Sequence, residues 1–175
     1  MKLVRSISTI LYFTTRIMAW GYLITILYSV FALSFKTGFN LENEGKLAVI
    51  YYPFTTERFL LCEYNTPGIV EMLLAIGAYG VFFWLLSDVF KAFRQERLFT
   101  KLAVTSLSRF YIANLTVPLL GMLLLKVISN EYGSTEYSIT GIVLVLHTVL
   151  GVFAYFMAAI FKQGVSLQNE QDLYI

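Results

Sequence analysis

Charge is scarce in this chain. Only 14% of its 175 residues are Asp, Glu, Lys or Arg, against roughly a quarter in soluble domains, while 58% are hydrophobic and 17% aromatic. That balance excludes an ordinary soluble domain and points to a membrane protein. With one cysteine, Cys62, the chain can form no internal disulfide and has no Cys/His spacing for zinc, so the redox compartment stays open. The single histidine, His147, leaves haem without a second histidine as axial ligand. A formal net charge of +2 is too small to argue for direct binding of nucleic acid. No nucleophile has a paired base and HExxH is missing; "GAYG" at 77–80 lacks the basic residue of a phosphate loop. "NLT" at 114–116 matches a glycosylation sequon but falls inside an apolar run. A non-enzymatic protein with no cofactor and no metal is the expectation.

What the sequence does have is long apolar runs. Four of them, about 17–35, 67–90, 110–128 and 139–161, reach the roughly 20 residues that cross a bilayer core as helix. The expected fold is an all-α integral membrane protein, a four-transmembrane-helix bundle forming a single domain. The first run follows Lys2, Arg5 and Arg16 and contains "FALSF" at 31–35, a small-x-small pattern like a signal-peptidase site. Its apolar stretch exceeds the usual ~7–15 residues of a signal peptide, so an uncleaved anchor is expected.

Hairpin connectivity puts the N-terminus, the loop 91–109 and the tail 162–175 on one side. That side holds nine basic residues: Lys2, Arg5, Arg16, Lys91, Arg94, Arg97, Lys101, Arg109 and Lys162. The other side holds four, Lys36, Lys46, Arg58 and Lys126, with Glu42, Glu44, Glu57, Glu63, Glu131 and Glu136. The positive-inside rule then places both termini in the cytoplasm. In the outer segment 36–66, "KLAVIYYPF" and "RFLLCEY" flank "TTE" and suggest a short two-stranded β-hairpin leaning on the membrane interface. Tyr51, Tyr52, Phe54 and Phe59 suit that interface. The hairpin reads either as a structural cap or as a ligand-sensing surface.

Ionisable groups at depth mark function in membranes, and here they stay near the helix ends. Matching depths pairs Arg16 with Asp88 on one side and Glu71 with Lys126 on the other, as orienting contacts rather than catalytic ones. His147 shares a helical stripe with Gly151, Ala154 and Ala158, which turns it into the bundle. It is expected to bond Tyr28, Tyr79 or Thr116, with a proton-relay role as the alternative. Gly77, Gly80, Trp84 and Asp88 form a second packing stripe.

On the cytoplasmic face, "DVFKAFRQERLFTKLAVTSLSRF" sets Phe90, Phe93 and Phe99 among Lys91, Arg94, Arg97 and Lys101, a mixture suited to anionic headgroups. Thr100 is a candidate helix cap, and Gly164 reads as the stop of the last helix. The tail beyond it carries Glu170 and Asp172 and is expected to dock on that basic loop.

"FRQERLFT" and the C-terminal "AIFKQGVSLQNEQDLYI" together resemble the bacterial membrane family called domain of unknown function 2975. Phe161, Lys162, Gly164, Leu167, Glu170, Asp172, Leu173 and Ile175 fit its terminal pattern. Tyr174 stands where the family commonly has threonine, and the outer segment is longer than in its compact members. The resemblance implies four membrane helices and no established activity. It also implies a cytoplasmic helix-turn-helix regulator as partner, because such genes are often neighbours, an association rather than a mechanism. Leu167, Glu170, Asp172, Leu173, Tyr174 and Ile175 would then form the dock, in alternation with the clasp on the loop. The chain therefore reads as a regulatory or sensor-like membrane partner, with a homo-oligomer open. A small transporter or channel subunit, using His147, Asn114, Thr116 and Tyr79, is the rival. A membrane enzyme comes third, with no residue set to carry it.

Overall fold

The computed structural model describes residues 2–132 and 138–172, with side chains for 2–128 and 142–171. The described residues form four helices, α1 (Lys2–Phe35), α2 (Thr66–Phe93), α3 (Lys101–Tyr132) and α4 (Ser138–Asp172). All four are long and apolar enough to cross a membrane. Between α1 and α2 lie β1 (Phe39–Glu42), β2 (Leu47–Tyr51) and β3 (Arg58–Glu63).

The helices extend past the apolar runs that announce them. α1 begins fifteen residues before Ile17, at Lys2, because its early polar residues are used locally. Thr9 and Thr15 hydroxyls bond the carbonyls of Arg5 and Leu11, and Ser8 and Thr15 are buried. α2 starts where Asn65 Oδ1 accepts the Gly68 N–H at 2.7 Å with Pro67 in the first turn, a position where the missing proline N–H costs nothing. α3 starts under Thr100, whose Oγ1 accepts the Ala103 N–H at 3.1 Å.

Two sequence expectations are corrected. Gly164 does not stop the last helix, since α4 runs on to Asp172. Its lack of a side chain serves packing: a Cβ there would stand 2.6 Å from Phe99 Cγ. The outer segment holds a three-stranded antiparallel sheet, β1-β2-β3, rather than a two-stranded hairpin. β1 is only "FNLE", too short to show alternation, and depends on a turn in which Asn43, Glu44 and Gly45 all take positive φ. Such turns join strands tightly when Asn and Gly supply the left-handed positions.

β2 sits at the centre of the sheet, with Ala48, Val49 and Ile50 fully buried. The sheet stands on the ends of α1 and α2: Tyr28 Oη donates to the Tyr51 carbonyl at 2.8 Å. Gly68 lets the chain pass close beneath Glu63, whose carbonyl is 2.7 Å from where a Cβ would be. On β3, burial, with the Glu63 carboxylate second, pushes the Cys62 thiol up from its ordinary range. Because only the thiolate reacts, maleimide labelling of Cys62 is expected to be slow at neutral pH and to rise steeply as the solution is made alkaline. Glu63→Gln should speed it modestly.

The helices do not close into a symmetric bundle. One core unites Val89 and Ala92 of α2, Ala103, Leu107 and Phe110 of α3, and Ala154, Ala158 and Phe161 of α4. α1 packs along another side of α2, where the predicted stripe is used in full. Gly77 admits Ile26, Gly80 admits Tyr22, and Trp84 meets Trp20 edge-on. The outward faces of α1 and α4 expose Ile10, Ile17, Leu27, Val149, Phe153 and Ile160. In water such surface would collapse; in hydrocarbon it is the expected exterior.

Candidate functional site

Two regions stand out, at opposite ends of α4. Nearer the sheet, α2, α3 and α4 enclose a groove of about 250 Å³ between Glu71, Tyr79, Phe82, Asn114, Pro118 and His147 among mainly apolar walls. His147 bonds neither Tyr28, which holds the sheet, nor Thr116, whose hydroxyl turns back to the Ile112 carbonyl on an exposed face. Its Nδ1 lies 2.7 Å from Asn114 Oδ1. Tyr79 and Phe82 flank the imidazole through ring contacts, with centroids at 6.0 and 5.3 Å.

The tautomer follows from the network. Asn114 Nδ2 donates to the Phe110 carbonyl at 2.8 Å, which leaves Oδ1 as the atom facing His147. An amide oxygen only accepts, so Nδ1 carries a proton, and in the neutral imidazole Nε2 keeps its lone pair. Four residues on, Pro118 lies inside α3 and removes the bond that the Asn114 carbonyl would otherwise accept. The freed carbonyl is a backbone group, so no sequence signal singled out the Asn114 side chain as the partner of His147. Glu71, expected to pair with Lys126, lines the groove and has no ionic or hydrogen-bond partner among the described residues.

At the other end, the charge pairing expected from depth is present. Arg16 Nη2 bonds Asp88 Oδ1 at 3.0 Å, and the guanidinium lies over Trp84 with 3.9 Å from Cζ to the ring centroid. Arg16 Nη1 is buried without a hydrogen bond, so the ring face is its compensation.

The tail meets the loop through aromatic contact. Phe99 packs on Gly164 and Phe161, and Phe161 also meets Phe93. Arg94 turns away from the tail, to Tyr12 and Phe13 of α1 at 4.9 and 5.5 Å. Lys91, Arg97 and Lys101 are exposed, as are Leu167 and Glu170. Glu170 accepts the Ser166 hydroxyl one turn back at 3.4 Å. The side chains of Glu131 and Asp172, and residues Glu136, Leu173, Tyr174 and Ile175, lie outside the described residues.

The family described as "Protein of unknown function (DUF2975)" matches residues 48–175. The chain belongs to this family. No curated protein and no solved structure matches it. The DUF2975 match opens inside β2 and takes in both the groove and the Phe99–Gly164 contact, while α1 and β1 precede it. The Arg16–Asp88 bridge thus joins the matched span to a helix outside it.

Proposed function

We infer that this is a non-enzymatic, sensor-like membrane protein in which α4 couples the groove to a cytoplasmic output surface. The observation that carries the reading is the continuity of α4, which bears His147 in the groove and Gly164 in the clasp on one helix. Seventeen residues separate them, about 26 Å at 1.5 Å per residue. A helix of that length is rigid enough for a shift at His147 to reach Phe99. The basic excess beside the clasp supports a cytoplasmic location for both termini, in a bacterial inner membrane.

The partner proposed for that surface is a cytoplasmic protein such as a helix-turn-helix regulator, engaged by exposed Leu167 and Glu170 and the residues after them. Nucleic acid would be contacted only through it. The transporter reading is second: His147, Asn114 and Tyr79 do line one space, but its walls are apolar and Thr116 lies elsewhere, which supports ligand binding over a wet pathway.

Removal of residues 166–175 tests the reading. Insertion into the membrane should persist, while a DNA-binding protein that co-purifies with the intact chain from native membranes is lost. Equal recovery with both forms, or no such protein with the intact form, sinks the output-surface idea.

A further inference from the structure

We propose that the groove between α2, α3 and α4 binds a cationic amphiphile, with Glu71 as its counter-ion. The proposal rests on the sensor reading for its biological meaning, but binding is measured separately from partner capture. The volume, about 250 Å³, falls just under the roughly 300–1,000 Å³ of most small-molecule pockets, so the occupant is small.

The polar groups determine its charge. Glu71 is half-buried against apolar walls with no partner among the described residues, and a carboxylate leaving water in that way calls for an opposite charge. An anionic head would be repelled, and a plain acyl chain would leave the carboxylate uncompensated. Deeper in, the groove offers acceptors and ring faces. The Asn114 amide is engaged at both ends, one N–H on the Phe110 carbonyl and the oxygen on His147, so it is held in place rather than aimed at a ligand. His147 Nε2 presents a lone pair, and the Tyr79 and Phe82 rings supply negative faces that attract cations.

Geometry sets the length. Eight residues separate Glu71 from Tyr79 on α2, about 12 Å of helix. A ligand with its head at Glu71 therefore runs its apolar body along Leu74 and Val117 towards Phe82, with a place for one hydrogen-bond donor at Nε2.

The test uses the full chain in nanodiscs of zwitterionic lipid and radiolabelled decyltrimethylammonium, whose charge is fixed at every pH. Saturable binding above empty nanodiscs is expected, weakened about tenfold by Glu71→Gln. Decyl sulfate and decanol, of the same chain length, should compete at least about tenfold less well than the unlabelled cation. No saturable component, equal binding in Glu71→Gln, or equal competition by decanol overturns the proposal, the last making the groove a resting place for lipid chains. Should Glu71→Gln weaken binding while the 166–175 deletion changes no partner, the ligand site stands and the sensor reading falls.

Discussion

Asp88→Ala should cost the folded protein about 2–3 kcal/mol, read as a fall in resistance to denaturant in a mild detergent. The reasoning turns on what is left behind. The Arg16 and Asp88 side chains are only 18% and 29% exposed, and one guanidinium nitrogen is already buried without a hydrogen bond. Taking away the carboxylate strips the charge-assisted bond from a cation that the Trp84 face alone, worth about 0.5–2 kcal/mol, cannot compensate. The double variant Arg16→Leu with Asp88→Leu should recover most of the loss, since an apolar pair of similar volume removes the desolvated charge altogether. If Asp88→Ala unfolds where the wild type does, the bridge is ornamental and α1 is held by its glycine and aromatic contacts alone.

Gly164→Leu sets two known magnitudes against each other. On helix propensity it should stabilise α4 by close to 1 kcal/mol, because glycine is a poor interior helix residue. On packing it drives a side chain into the Phe99 ring, and overpacking costs typically 1–3 kcal/mol. Packing should win, and the loop between α2 and α3 should come off the tail. The expected result is faster protease cleavage within 94–100, with Phe99→Ala in the same chain restoring a helix at least as stable as the original. Cleavage at the wild-type rate would mean that Phe99 can turn aside freely and that the clasp holds nothing.

The sequence made the number of helices plain because four runs of apolar residues admit few other readings. Helix ends were harder, since Lys2, Arg5 and Arg16 interrupt the apolar residues of 2–16 and most of 162–172 is polar, so neither stretch extends an unbroken apolar run. Gly164 misled for a specific reason: after Phe161 and Lys162 it has the look of a terminator, and only the position of Phe99 reveals a packing glycine. The Arg16–Asp88 contact was legible because charge is so sparse that depth alone leaves few partners. The Asn114–His147 contact was not, because polar groups that hydrogen-bond, such as Tyr28 and Thr116, are common enough to give several equal choices. Glu71 shows the limit of depth matching, since a suitable lysine at the same level does not oblige a pair to form.

The bridge between α1 and α2 also has a history in time. Arg16 and Asp88 are 72 residues apart, and at the usual 5–20 residues per second of synthesis the carboxylate emerges about 4–14 s after the guanidinium. Through that interval the aromatic neighbour already present is Tyr12, one turn earlier on the same helix. Trp84 and Asp88 then arrive together, four residues apart. The partners that α2 supplies to Arg16 thus exist only after α1 has been made, and the order of translation sets the earliest order in which this contact can assemble.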